Sequence, residues 1–208
     1  MDLGRWTALW SRLGARGDGL AIFTRLAGAY AEPARAYHTA RHIQECLEQL
    51  DRSRQMAGRP DEVEAALWFH DAVYLPGQAD NELRSADLAR TALAQAGVPP
   101  IVANRVGSLV LATRHLAAAQ EPDAALVCDI DLSVLGRPPD LFHRFEQQIR
   151  REYAAVPERM YRSARSRILR ELLERPAIYQ TVHFREQYEA QARANLARLL
   201  EELDPLRI

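Results

Sequence analysis

Residues 61–75 read DEVEAALWFHDAVYL, and within this run an adjacent His70 and Asp71 stand among apolar neighbours. Apolar residues recur at three-to-four spacing, which predicts a helix over 61–75. On such a helix His70 has Ala66, Leu67, Val73 and Tyr74 one turn away, and Asp71 has Leu67, Trp68, Tyr74 and Leu75. Two ionisable side chains surrounded by carbon lose water. That costs several kcal/mol, roughly, unless they are paired or bind a cation. His143 and His183 have polar neighbours at the same offsets, Glu146 and Gln147 for one and Glu186 and Gln187 for the other, and read as surface residues.

Outward from this run the same helical period covers most of the chain. Helices are expected near 3–15, 20–31, 37–53, 82–96, 100–117, 123–135, 139–154, 157–174 and 184–203, broken at Gly58 to Pro60, Pro76-Gly77, Gly97 to Pro100, Pro122 and Gly136 to Pro139. Asp61 and Asp80 or Asn81 are plausible N-caps. The segments 144–175 and 184–203 are rich in Arg, Glu and Gln with one apolar stripe, as in amphipathic helices with solvated outer faces. The expectation is one all-α domain over 1–208, with C-terminal helices at about 139–203 packed on a core at about 36–136.

Composition narrows the chemistry. The chain has 208 residues, 48% hydrophobic and 26% charged, the balance of a globular protein with a substantial core. A net charge of -1 gives no strong case for nucleic acid or anionic lipid. All 27 basic residues are arginine, which excludes a Schiff-base lysine and a P-loop lysine. Cys46 and Cys128 are too few for a disulfide framework and read as buried reduced thiols. No apolar run is long enough to span a membrane, and no leader sequence is evident, so a cytoplasmic location is expected.

Further polar residues fall on apolar stripes. Asp131 has Val127, Cys128, Val134 and Leu135 around it, whereas Asp129 has Ala125, Leu126, Leu132 and Ser133. Two positions on a helix differ by roughly 200°, so these carboxylates cannot both face one site. Asp131 is the better inward ligand, and Asp129 is left as a supporting or capping group. His38 and His42 are four apart, a spacing that lets a helical pair share a metal or divide ligation from proton transfer. His115 lies between Leu111-Ala112 and Ala118-Ala119. Each of these three histidines, taken singly, also has a structural reading.

Together these residues resemble the H…HD…D signature of the HD superfamily. The order is His42, then His70-Asp71 after 28 residues, then Asp131 after a further 60 from Asp71. Tyr37 to His42 is similar to the YHxxxH element that carries the first metal histidine, and Asp131-Leu132-Ser133 resembles the closing motif. The likeness extends to one branch of predicted HD phosphohydrolases through four further elements: Asn81-Glu82-Leu83-Arg84-Ser85, Asp129 to Gly136, Ile149 to Tyr153 and Ala192 to Leu196. It spans about residues 30–200.

The resemblance implies an HD-like helical bundle with a C-terminal helical extension. It also implies one divalent metal (Mn, Fe, Co, Ni, Zn or Mg) on His42, His70, Asp71 and Asp131. His38 corresponds to a histidine that protonates the leaving group in cyclic-nucleotide phosphodiesterases of the superfamily. Glu82 could orient the attacking water, with helix capping as the alternative. His115 could bind substrate or a second metal, and Arg41, Arg84 and Arg114 could grip phosphate. Only His115 lies between the doublet and Asp131, so one metal is favoured over two. The implied activity is hydrolysis of a phosphomonoester or phosphodiester, such as a nucleotide, by metal-activated water. The expected partner is a small phosphorylated substrate, with a homodimer left open. The alternatives are a non-catalytic sensor that holds a nucleotide or anion at the metal, an iron oxygenase, and a purely structural pair at 70–71.

Overall fold

The computed structural model describes residues 1–203. These form ten α-helices and two 3₁₀ turns, with no strand among the described residues. The helices are α1 (Leu3–Arg12), α2 (Leu20–Ala29), α3 (Ala40–Ser53), α4 (Pro60–Phe69), α5 (Asn81–Gln95), α6 (Pro100–Ala112), α7 (Pro122–Leu132), α8 (Pro139–Glu152), α9 (Glu158–Glu174) and α10 (Val182–Leu203). Every expected helix is present, and the all-α class is established. Proline opens α4, α6, α7 and α8, where its missing N–H costs nothing and its fixed φ suits the first turn.

The chain divides into two compact units, Met1–Ile130 and Asp131–Ile208. The division falls inside α7, one peptide bond before Asp131.

In the first unit α4 is the central element, packed against α1, α3, α5 and α6. All its residues from Glu62 to Phe69 are buried, which explains why it is apolar on every face rather than on one stripe. Trp68 and Phe69 pack edge-on against Trp6 of α1, with ring centroids 5.4 and 5.9 Å away. The two buried acidic residues on this helix are answered from outside. The Glu64 carboxylate accepts from Arg5, Arg12 and Arg54 at 2.7–3.1 Å, and Glu62 accepts from Arg105 of α6. Residues 123–130 of α7 are likewise all buried. Asp123 in its first turn accepts the Gly58 and Arg59 amides at 2.7 and 2.9 Å, tying α7 to the entry of α4.

In the second unit a 3₁₀ turn (Ser133–Gly136) follows α7 and contacts α8 and α10. Gly136 lies so close to α10 that a Cβ there would sit 2.5 Å from Tyr188 Cβ and 2.8 Å from its carbonyl oxygen. Asn195 of α10 donates to the Leu135 and Arg137 carbonyls at 2.8 Å each, and the Tyr179 hydroxyl donates to Leu132 at 3.0 Å. Tyr179, Phe184 and Tyr188 cluster around this turn's helix partner. Glu146 of α8 binds Arg165 of α9 through two hydrogen bonds. His143 and His183 are exposed, as their neighbours implied.

Several helix ends differ from expectation, α1 and α7 among them stopping three residues early, and three of these ends carry histidines. Helix α4 stops at Phe69 rather than 75, leaving His70 as its C-cap and Asp71 on the following turn. Helix α6 stops at Ala112 rather than 117, and His115 then adopts a left-handed backbone with φ of 54°. Helix α3 begins at Ala40 rather than 37, because the Thr39 side chain caps it by accepting from the Arg41 amide. His38 therefore precedes the helix.

Candidate metal centre

The end of α4 is made by side chains from the segment between α2 and α3. The buried Arg35 guanidinium donates to the carbonyls of Asp71 at 2.6 Å, Ala72 at 3.3 Å and His38 at 3.3 Å, with Glu32 balancing its charge at 3.0 Å. The Tyr30 hydroxyl donates to the Trp68 carbonyl at 2.9 Å. Burial pushes the Tyr30 phenol well above its usual range, and the Asp71 charge pushes the same way, so it stays a donor. These partners take the carbonyls that a continuing helix would have used. The chain turns at His70-Asp71 instead, and both side chains are aimed at α3.

Beyond the turn, Asn81 and Ser85 of α5 fix the outgoing segment. Asn81 Oδ1 accepts from the Leu75 amide at 3.0 Å, and its Nδ2 donates to the Leu75 and Gln78 carbonyls. Ser85 Oγ accepts from the Val73 amide at 3.0 Å and donates to its carbonyl at 3.3 Å. The Asn-Glu-x-x-Ser element thus clamps residues 73–78.

His42 of α3 meets the doublet here. Its Nε2 lies 3.0 Å from His70 Nε2 and 3.5 Å from Asp71 Oδ2, and the His70 Nε2 to Asp71 Oδ2 distance is 3.0 Å. His70 Nδ1 is 2.9 Å from the Leu67 carbonyl, which requires the proton on Nδ1. The Nε2 edge of His70 then faces a second imidazole nitrogen and a carboxylate oxygen. Burial opposes ionisation of Asp71, but the His70, His38 and His42 imidazoles outweigh it and hold the carboxyl well below the usual carboxylate range. Three electron-rich atoms therefore converge in a buried spot, which needs a positive charge between them: a proton on an imidazole, or a cation.

The spacing fits a cation. A point about 2.1 Å from all three atoms, a usual bond length for imidazole and carboxylate ligands, lies about 1 Å off their plane. Cys46, one turn after His42 on α3, brings its Sγ to 3.7 Å from both ring nitrogens of His42. Within the first unit, one ligand atom each from His42, Cys46 and His70 lie within 4.8 Å of one another, so this group could hold a metal ion. Asp131, in the last turn of α7, is the first residue of the second unit. Asp129, two residues earlier, is fully buried.

The remaining expected residues are distributed around this cluster. The His38 ring stacks on Tyr74 with centroids 4.1 Å apart, and its centroid is 6.0 Å from that of His42. Glu82 is half-buried in the first turn of α5, beside the Asn81 clamp. Arg41 is 79% exposed and paired with Glu45 along α3. Arg114 reaches the Ala79 carbonyl at 3.5 Å, and His115 is the half-buried left-handed residue after α6. Arg84 lines a groove bounded by α2 and residues 72–75. Sequence reasoning passed over Cys46 and Arg35. The first had a readable signal, its four-residue spacing from His42. The second had none, being one of 27 arginines.

Comparison with protein-family models, with curated proteins and with solved structures gives no match for this chain. The assignment of a function rests on the site itself.

Proposed function

We propose that this chain is a metal-dependent phosphohydrolase with an HD-type site, cleaving a phosphomonoester or phosphodiester, nucleotides included. One observation carries the reading: His42 Nε2, His70 Nε2 and Asp71 Oδ2 converge at 3.0–3.5 Å, while the Leu67 carbonyl holds the Nδ1 edge of His70 and turns its Nε2 toward the other two atoms. The resemblance assigns Asp131, in the last turn of α7, as the remaining ligand. A divalent cation bound there would polarise a phosphoryl oxygen and lower the pKa of a bound water.

The chain's own residues divide the remaining work. Asp71 stays ionised and supplies negative charge to the cation. His38, outside the helix and held against Tyr74, would give a proton to the leaving oxygen. Glu82, which makes no hydrogen bond or ion pair among the described residues, is available to orient water. Arg41, Arg114 and His115 are the candidates for gripping the phosphate. Arg41 would exchange its Glu45 pairing for that role.

The test combines metal analysis of gently purified protein with turnover of generic phosphate esters. Bound divalent metal and hydrolysis are expected. His70→Ala should lose the metal and lower kcat by at least about a hundredfold, since one ligand and the fixed tautomer go together. Metal-loaded protein inert on every phosphoester, and unaffected by His70→Ala, would overturn the proposal. Ligand-induced thermal stabilisation without product would instead identify a sensor that binds nucleotide or anion without turnover.

A further inference from the structure

A groove of about 400 Å³ opens between α2, residues 72–75 and α5. Its charged lining residues are Arg25, Glu32, Arg35 and Arg84. Glu32 and Arg35 neutralise one another at 3.0 Å. Arg25 and Arg84 have no hydrogen-bonding or ionic partner among the described residues. Leu26, Val73, Leu75 and Leu88 supply apolar wall, and Gly28 is a helical position where a Cβ would meet nothing within 4 Å.

Two unpaired guanidinium groups over a cleft of this size, with polar and apolar wall in similar measure, are suited to a small dianion with a carbon body. A monoanion would leave one arginine unanswered, and a bare inorganic ion would leave the apolar wall wet. We propose that this groove is a binding site for a small organic phosphate, separate from the imidazole cluster, with Arg25 and Arg84 holding the phosphoryl oxygens. None of the clustered metal-binding candidates lines it. The assignment gives Arg84 a ligand of its own and does not depend on phosphohydrolase activity.

Amide NMR of the full chain in the presence of a chelator tests this, with phenyl phosphate and then inorganic phosphate as probes. Saturable shifts at residues 24–29 and 72–75 are expected, tighter for phenyl phosphate than for inorganic phosphate. Arg25→Gln and Arg84→Gln should each weaken binding by about tenfold, the loss of a charge-assisted pair. Gly28→Leu should fill the groove and abolish the shifts while leaving metal affinity intact. Both arginines are exposed and unpaired, so their glutamine variants keep the fold. Three results would overturn the proposal: no saturable shift, shifts centred on His42 and His70, or unchanged affinity in both arginine variants. Inorganic phosphate binding as tightly as phenyl phosphate would overturn the organic part of the assignment.

Discussion

Cys46 changes what the cluster can accept. Imidazole and carboxylate ligands suit a range of divalent ions, whereas a thiolate shifts preference toward zinc, iron or cobalt over magnesium. Its Sγ, 3.7 Å from His42 Nε2, is at the separation expected when sulfur and nitrogen bind one ion at about 2.3 and about 2.1 Å with a wide angle between them. The expected outcome is a thiolate-to-metal charge-transfer band in the cobalt-loaded protein that disappears in Cys46→Ser. A band-free spectrum in the parent protein would leave Cys46 as packing beside His42, with the metal held by the imidazoles and carboxylates alone. The His42 and His70 contacts follow the residue order read from sequence. Cys46 was legible there as well, four residues after His42, but with two cysteines in the chain a buried reduced thiol was the simpler interpretation.

The element whose geometry matters most is α4. Periodicity located all ten helices, because burial on one or more faces leaves a repeating trace in the residues themselves. It overran α1 and α7 as well as the ends of α3, α4 and α6, where the boundary is imposed by groups distant in sequence or by a local side-chain cap. Nothing in residues 66–75 announces that Arg35 and Tyr30 will take the carbonyls of Trp68, Asp71 and Ala72. The resembling elements also acquire physical roles that spacing alone could not reveal. Asn81 and Ser85 clamp the segment after the doublet, Arg150 caps α8 by donating to Tyr153 at 2.7 Å, and Asn195 holds the turn after α7. Arg35→Met should test the capping argument. Loss of a buried, hydrogen-bonded charge that Glu32 and three carbonyls depend on should cost about 3 kcal/mol in urea denaturation and weaken metal binding by roughly tenfold or more. Arg35→Lys should recover little, since an ammonium cannot span three carbonyls in one plane.

At the scale of the molecule, the first unit concentrates its buried charge on two helices that are apolar all round. Glu62 and Glu64 of α4 and Asp123 of α7 are each met by donors from elsewhere in the unit, so these helices are located by specific polar contacts as well as by packing. Both begin beside one another, where Asp123 accepts the Gly58 and Arg59 amides. The far end of α4, about 15 Å along at 1.5 Å per residue, delivers His70. Mechanically α4 is a lever pinned at its entry by Asp123, with a prospective ligand at its tip. Loosening the pin should therefore be felt at the tip: Asp123→Ala touches no prospective ligand, yet it should lower metal affinity measurably in a competitive chelator titration. An affinity equal to that of the parent protein would show that packing along the lever is enough to hold its tip.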